Sequence, residues 1–153
     1  MNTVMITGSF DPVTLGHEDI IRRAAALFPS VRVVIFVNDE KPGLFPLEKR
    51  LSLLRAVCAK YPNVSVDFDR GMVVDYAARE GISLIVRAVR DEKDLPYELA
   101  MADYNRTHGG VETLLLCASP ALGAISSTEV RRRIAAGEDP SELLPEEIRG
   151  EIG

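Results

Sequence analysis

The segment "GSFDPVTLGH", residues 8–17, combines residue types that can bind an anion. Its glycines let the backbone approach a ligand closely, and the hydroxyl of Ser9 can donate to a phosphate oxygen. His17 opens a predicted helix, whose free amides and positive dipole end favour negative charge. The glycine spacing matches neither a Walker loop nor a dinucleotide fingerprint. The alternative is an exposed histidine at a helix start, following a turn at Asp11-Pro12.

Three cationic residues lie within or directly after two other predicted strands. Lys41 lies in the loop "NDEKPGLF", Arg87 interrupts the apolar run "SLIVRAV", and Arg90 comes three residues later. A charge in an apolar strand is costly without a partner, and forked guanidinium groups suit phosphate oxygens. The alternatives are ion pairs of the arginines with Asp94 or Glu98 and a merely solvated lysine. We favour an anion site because both arginines occur where this strand ends.

A fourth group of polar residues, Ser126, Ser127 and Thr128 in "ISST", precedes another predicted helix. One serine can cap that helix. The remaining hydroxyls and free amides would form a second phosphate site.

Short apolar runs alternate with helical patterns along the whole chain, which is typical of a parallel sheet covered by helices. We therefore predict an α/β fold: a single doubly wound Rossmann-like domain over 1–153, with a five-stranded parallel sheet and helices on both faces. The C-terminal helices, from about 127, are expected to pack on the sheet. In such sheets ligands bind beyond the carboxyl ends of the strands. The predicted strands are 3–7, 31–37, 64–68, 83–89 and 112–118, and the predicted helices 17–28, 47–61, 72–80, 94–108, 127–137 and 140–152.

Composition excludes several classes of protein. The chain has 153 residues and a net charge of -5, which argues against general nucleic-acid or anionic-membrane binding. We expect no signal peptide, because the segment "MNTVMITGSF" lacks a basic region and a long apolar run, and no apolar run approaches the ~20 residues that span a bilayer. Cys58 and Cys117 lie in apolar patterns without metal spacing, so we expect buried thiols and a cytoplasmic location.

Five segments together resemble the bacterial phosphopantetheine adenylyltransferases, which belong to the nucleotidylyltransferase superfamily with an (H/T)xGH motif. This resemblance implies transfer of the adenylyl group of ATP to 4'-phosphopantetheine, giving dephospho-coenzyme A and pyrophosphate in coenzyme A biosynthesis. It also implies Mg²⁺ dependence, a homohexamer and coenzyme A as a feedback inhibitor. The segments are, in family order, "GSFDPVTLGH", "NDEKPGLFPLEKRL", "GMVVDYAARE", "VRAVRDEKDLPYELAMADYNR" and "ISSTEVRRRI".

The resemblance also implies roles for individual residues. The catalytic group would be His17, Lys41 and Arg90, and the acceptor would bind Ser9, Lys41, Val73 and Arg87. Mg²⁺ would be coordinated by the ATP phosphates and by water, so no residue is assigned as a metal ligand. The implied ATP contacts are Ser9, Phe10, His17, Ala88, Val89, Arg90, Glu98, Leu122, Gly123, Ala124, Ile125, Ser126, Ser127 and Thr128.

Two other functions remain open at this point. One is adenylyl transfer to another phosphorylated acceptor, such as nicotinamide mononucleotide or glycerol phosphate. The other is a non-catalytic nucleotide-binding domain, which has no evident need for His17, Lys41, Arg87 and Arg90 together. The chain also departs from the family at Ala88, where a glycine is usual. An alanine there would be strained if the turn required a positive φ.

Overall fold

Five apolar runs form one sheet in which every neighbouring pair of strands is parallel. The computed structural model describes residues 3–152. The strand order is β3-β2-β1-β4-β5, so the predicted doubly wound parallel sheet is confirmed. The strands are β1 (Thr3–Gly8), β2 (Ser30–Phe36), β3 (Val64–Asp69), β4 (Leu84–Val89) and β5 (Glu112–Cys117).

Five α-helices connect and follow the strands. Thr14 caps α1 by accepting a hydrogen bond from the backbone N–H of His17. Gly81 and Gly110 end α3 and α4 with φ angles of 68° and 63°, which favour glycine. Among the described residues, no helix has the length and apolar character needed to cross a membrane. The helices are α1 (Leu15–Leu27), α2 (Leu47–Cys58), α3 (Val73–Glu80), α4 (Leu95–Gly109) and α5 (Ser127–Ala135).

The sheet separates two hydrophobic cores, because successive strand residues point to opposite faces. On β1, Val4 and Ile6 belong to the larger core, together with residues of α1, α2 and α5. Met5, between them, belongs to the smaller core with Tyr76 and Ala77 of α3. Helices therefore cover both faces of the sheet, as the near-continuous apolar strands predict.

The predicted helix over 140–152 is wrong. Two 3₁₀ helices, Ser141–Leu143 and Glu146–Glu151, replace it, and Leu144 between them is extended. The physical reason is Pro145, which lacks an N–H group and disfavours helical geometry in the residue before it. This segment nevertheless packs into the larger core, where Leu144 and Ile148 are fully buried.

The position of β1 in the strand order determines where the ligand crevice lies. The chain passes from β1 to β2 on one side and enters β4 on the other side of β1. In parallel sheets the gap beyond the carboxyl ends of the strands is widest where the order reverses in this way. The loop after β1 and the exit of β4 therefore face each other across one crevice.

We expect Leu144→Ala to lower the free energy of unfolding by about 2–5 kcal/mol, because it opens a cavity in the larger core. Chemical denaturation monitored by circular dichroism measures the change. The matched control is Leu27→Ala, where the side chain is 64% exposed and a change within about 0.5 kcal/mol is expected. Equal effects of the two substitutions would contradict the packing of the C-terminal segment.

Candidate active site

A cleft of about 680 Å³ lies at the carboxyl edge of the sheet and collects most of the predicted site residues. Three predicted residues, Lys41, Val89 and Ala124, are not among its lining residues. The predicted residues that line it are Ser9, Phe10, His17, Val73, Arg87, Ala88, Arg90, Glu98, Leu122, Gly123, Ile125, Ser126, Ser127 and Thr128.

His17 is oriented by the helix that it begins. The Nδ1 atom of its ring accepts a hydrogen bond from the backbone N–H of Thr14 at 3.0 Å, and Thr14 Oγ1 accepts one from the backbone N–H of His17. This reciprocal pair is a capping box in which histidine replaces the usual Glu or Gln. Because Nδ1 accepts, the ring proton lies on Nε2, which is free to donate to a ligand.

The imidazole is neutral at ordinary pH. Burial of the ring, reinforced by the positive charges of Arg87 and Arg90, lowers the pKa of His17 from 6.5 to about 4. Both guanidinium groups line the same cleft as the ring. Since only the folded state disfavours protonation, this group makes the free energy of unfolding decrease as the pH falls from 6.5 towards 4.

Arg87 projects from β4 to the face of the sheet that carries α3 and α4. Its Nε and Nη2 atoms donate to both carboxylate oxygens of Glu98, at 2.9 and 2.6 Å. Its Nη1 atom donates to the carbonyl oxygen of Thr7 at 2.8 Å. The ion pair that the sequence offered as an alternative is therefore present, but it lies in the cleft.

Arg90 makes a second, more exposed pair. Its Nε and Nη2 atoms donate to the two carboxylate oxygens of Asp94 at 3.0 and 3.2 Å. The arginine side chain is 45% exposed, compared with 32% for Arg87. Each arginine at the exit of β4 thus has its own carboxylate, one helical turn apart along α4.

Close backbone packing joins the first loop to the loop before α5. A Cβ atom on Gly16 would lie 3.0 Å from the carbonyl oxygen of Ile125 and 3.3 Å from that of Leu122. Real Cβ atoms rarely approach backbone so closely, so the glycine before His17 permits this contact. The conformational freedom of glycine is not the reason, because Gly16 is not among the residues with a positive φ.

The "ISST" hydroxyls are largely engaged by the protein itself. Ser126 caps α5 by accepting from the backbone N–H of Glu129, and Ser127 donates to the carbonyl oxygen of Pro12 at 2.7 Å. Thr128 accepts from Arg131. These contacts fix the start of α5 at the cleft, where its free amides remain available to an anion.

Lys41 lies in an exposed loop whose far end is anchored to the first loop. The carboxylate of Asp11 accepts hydrogen bonds from the backbone N–H groups of Leu44 and Phe45, at 2.8 and 2.9 Å. A Cβ atom on Gly43 would collide with this carboxylate. The loop is thus held beside the cleft, and a contact of Lys41 with substrate stays a prediction.

Ala88 is accommodated without strain. It lies in β4, where it is paired with Leu116 of β5. Among residues 3–152, Phe10 is the one non-glycine residue with a positive φ, 46°. The glycine that is usual at position 88 is therefore not needed for backbone conformation in this chain.

The cleft has two lobes, one on each face of the sheet. The α1 lobe contains His17, the start of α5 and the 122–128 loop. The α4 lobe contains Arg87 with Glu98 and Tyr97, several apolar side chains, and one buried hydroxyl, Thr113 Oγ1, that lacks a hydrogen-bond partner among the described residues. The further lining residues of the α4 lobe are Phe36, Val73, Ile85, Met101, Asn105 and Thr113.

Sequence reasoning missed most of the α4 lobe and two cations, Lys93 and Arg131, that also line the cleft. Arg131 donates to the carbonyl oxygen of Asp11 at 2.8 Å. It belongs to the run Arg131-Arg132-Arg133, and nothing in that run indicates which arginine faces inward. Helical spacing from Ser127 was the available signal, since residues four apart share a face.

The cleft offers anion-binding groups and no carboxylate cluster for a metal ion. Within residues 3–152, no group of three or more His, Cys, Asp or Glu side chains could hold one. The carboxylates that line the cleft, Asp19, Asp94 and Glu98, all bind arginines.

We expect the imidazole of His17 to remain neutral, with its proton on Nε2, from pH 7.5 down to pH 5.5. Two-dimensional ¹⁵N NMR of the His108→Gln variant, in which His17 is the remaining histidine, reports both the tautomer and the pKa. A titration centred between pH 6 and 7, or a proton on Nδ1, would contradict the capping-box geometry.

Comparison with known proteins agrees with this architecture. A family model described as cytidylyltransferase-like matches residues 5–133. A phosphopantetheine adenylyltransferase from Corynebacterium diphtheriae is 42% identical over 153 residues, covering 99% of this chain and 96% of the relative.

Two crystal structures share the fold at low sequence identity. One, from Vibrio parahaemolyticus, is assigned as a nicotinate-nucleotide adenylyltransferase; it has a TM-score of 0.71, 16% identity and 99% coverage of both chains. The other is a lipopolysaccharide core biosynthesis protein from Thermoplasma volcanium, with a TM-score of 0.56 and 21% identity, covering 78% of this chain and 97% of the other. The family match and the full-length relative together establish that the chain belongs to the cytidylyltransferase-like family and, within it, to the phosphopantetheine adenylyltransferases.

Proposed function

We propose that this protein transfers the adenylyl group of ATP to 4'-phosphopantetheine, releasing pyrophosphate and forming dephospho-coenzyme A. The observation that carries the proposal is the meeting of a neutral imidazole donor, His17, with Arg87 and Arg90 in one cleft at the edge of the sheet. The full-length relative named for this activity supports the same conclusion.

The reaction needs positioning more than activation of a nucleophile. The acceptor phosphate has a second pKa of about 6, so it is largely a dianion at neutral pH. One of its oxygens attacks the α-phosphorus of ATP in line, the new P–O bond forms, and the bond to the β-phosphate breaks with pyrophosphate as the leaving group. Repulsion between the anions opposes this approach, and fixed cations and donors at the reacting phosphates reduce it.

The two lobes divide the substrates between them. The α1 lobe suits the nucleotide, because the Nε2–H of His17 and the free amides at the start of α5 can donate to phosphate oxygens. Arg90 lies at the same edge, where its exposed pair with Asp94 can exchange for phosphate. Arg87, in the α4 lobe, suits the phosphate of the acceptor. Lys41 would add a cation from its loop.

The shape and chemistry of the α4 lobe favour 4'-phosphopantetheine over a nucleotide acceptor. This acceptor carries its phosphate on an uncharged arm with amide groups, which can pack against Phe36 and Met101 and hydrogen-bond with Asn105 and the unpartnered hydroxyl of Thr113. Nicotinamide mononucleotide would bring a cationic ring. The carboxylates that could receive such a ring are already bound to arginines.

Several further properties belong to the same proposal. Mg²⁺ would bind together with ATP, coordinated by its phosphates, since the described residues hold no group of three or more metal-ligating side chains. The exposed apolar side chains of Tyr97, Leu99 and Leu114, on α4 and on the edge strand β5, support association of copies of this chain, and the family resemblance favours a homohexamer. The family resemblance supports inhibition by coenzyme A, and the two free cysteines support a cytoplasmic location.

Pyrophosphate release tests the choice of acceptor. We expect rapid release from ATP with 4'-phosphopantetheine and release at least about a hundredfold slower with nicotinamide mononucleotide or glycerol phosphate, because neither fits the α4 lobe. The wrong acceptor leaves polar groups of the site unpaired, which typically costs a large factor in kcat/KM. A faster reaction with another acceptor would reassign the substrate, and ATP binding without turnover would indicate a non-catalytic domain.

His17→Ala should reduce kcat by about 10²–10³ with a modest change in the Kd for ATP, because it removes one donor to the reacting phosphate. Steady-state kinetics and calorimetric titration with ATP separate the two effects. His108→Ala is the control, since that histidine lies on the exposed side of α4. A variant at position 17 that kept more than about a tenth of the wild-type rate would refute the assigned role.

A further inference from the structure

We propose that Asp19 is a positioning residue that fixes the loop over 118–125, and with it the nucleotide, relative to the helix that carries His17. This inference rests on the proposed function, in which that loop and the start of α5 hold ATP. It assigns to the Asp19 carboxylate an effect on the substrate that is transmitted through the protein.

The loop over 118–125 depends on one side-chain contact. Within residues 3–152, one hydrogen bond joins a side chain to this loop: the hydroxyl of Ser119 donates to Asp19 Oδ2 at 2.8 Å. The carbonyl oxygen of Ser119 accepts from the backbone N–H groups of Leu122 and Gly123, at 3.0 and 2.7 Å. The residue that binds Asp19 therefore also determines the turn of the loop. Five small or apolar residues of the loop line the cleft: Ala118, Ser119, Leu122, Gly123 and Ile125.

The strand that precedes this loop is bound to the same carboxylate through an arginine. Arg23 Nη1 donates to Asp19 Oδ2 at 3.2 Å and to the carbonyl oxygen of Cys117, the last residue of β5, at 2.9 Å. Asp19 therefore orients the guanidinium group that binds the end of β5, and it binds Ser119 two residues later. One carboxylate of α1 thus holds both the end of the edge strand and the first turn of the loop.

Asp19 is suited to this role because it is buried and remains charged. Its side chain is 4% exposed. Burial raises the pKa of its carboxyl group, but hydrogen bonds from Ser119, Arg22 and Arg23 outweigh this effect and lower the pKa below its usual value. Hydrogen bonds to an ionised carboxylate are roughly twice as strong as neutral ones. Moving the carboxylate away from its donors would leave a buried charge unpaired, so its position is fixed.

The far end of the loop packs against the same helix. A Cβ atom on Gly16 would lie 3.0 Å from the carbonyl oxygen of Ile125 and 3.3 Å from that of Leu122. His17 lies between Gly16 and Asp19 in the sequence. The loop is therefore held by α1 residues on both sides of His17. This arrangement fixes where a nucleotide in the loop lies relative to the imidazole that would donate to its phosphate.

Ser119→Ala tests the contact with a small change, because it removes one hydroxyl and leaves Asp19 paired with both arginines. We expect the Kd and the KM for ATP to rise about threefold to tenfold, the loss typical of one net hydrogen bond, while the KM for 4'-phosphopantetheine changes less than about twofold. Calorimetric titration and steady-state kinetics measure these constants. Ser52→Ala, at an exposed serine of α2, is the matched control and should change none of them. Equal rises for both substrates, or no rise for ATP, would overturn the proposal.

A double variant distinguishes positioning from a direct contact of the serine hydroxyl with ATP. Asp19→Ala should raise the Kd for ATP at least as much as Ser119→Ala, because it also releases Arg23 from its carboxylate. If the hydroxyl acts by binding Asp19, adding Ser119→Ala to Asp19→Ala should change the Kd less than about twofold. A hydroxyl that contacted ATP would add its full factor in the double variant, and this result would refute the inference. Asp103→Ala is the control, because it breaks an exposed ion pair with Arg106.

Folding and function are controlled separately. Thermal unfolding shows whether the Asp19→Ala protein is intact. If it does not fold, Asp19→Asn, which keeps the size of the side chain and loses its charge, replaces it, and an effect of the double variant equal to the product of the single effects contradicts the inference. The Kd for ATP needs no turnover, so a wild-type protein that binds ATP but does not use 4'-phosphopantetheine refutes the proposed function, while the constants for ATP still decide the role of Asp19.

Discussion

The structure depends on how positive charge is held at the edge of the sheet before any substrate arrives. The protein has a net charge of -5, yet its cleft is lined by Arg87, Arg90, Lys93 and Arg131. Cations in a partly buried cleft are costly unless they are paired. Glu98 pairs with Arg87 and Asp94 pairs with Arg90. The charges are stabilised in this way and are still able to bind phosphate.

His17 contributes a hydrogen-bond donor to the cleft without adding another positive charge. A protonated imidazole that is buried and lies near two arginines would be strongly disfavoured, and the pKa of about 4 reflects this cost. The capping box then determines which nitrogen carries the proton. Helix capping, burial and nearby charge therefore all favour the same species, a donor at Nε2. Such a donor stabilises charge on a phosphate without changing its own protonation state.

The loops that carry these groups are held by contacts between distant parts of the chain. Asp11 binds the backbone of the loop that contains Lys41, and Arg131 of α5 donates to the carbonyl of Asp11. Ser119 donates to Asp19 of α1 at 2.8 Å. Fixed geometry is what phosphoryl-type transfer requires, because most of its catalysis comes from position and electrostatics. The same contacts leave few of the cleft's polar groups free to rearrange.

The sequence by itself determined the α/β class, the parallel sheet and the edge at which the site lies. These follow from periodicity and from strand ends, which are local properties. It also determined that Ser9, His17, Arg87, Arg90 and the "ISST" segment would come together, because the carboxyl ends of parallel strands share one edge. The predicted helix over 140–152 is replaced by two 3₁₀ helices, because Pro145 interrupts helical geometry locally.

Only the tertiary structure decided which partner each charge has. In the sequence, Glu98 and Asp94 were equally available as partners of Arg87. In the structure the more buried carboxylate, Glu98, pairs with Arg87, and the more exposed one, Asp94, pairs with Arg90. The pKa of His17, the inward direction of Arg131 and the α4 lobe also arise from side chains far apart in the chain. Such long-range burial and charge depend on how the elements pack against one another, and no local pattern of residues encodes that.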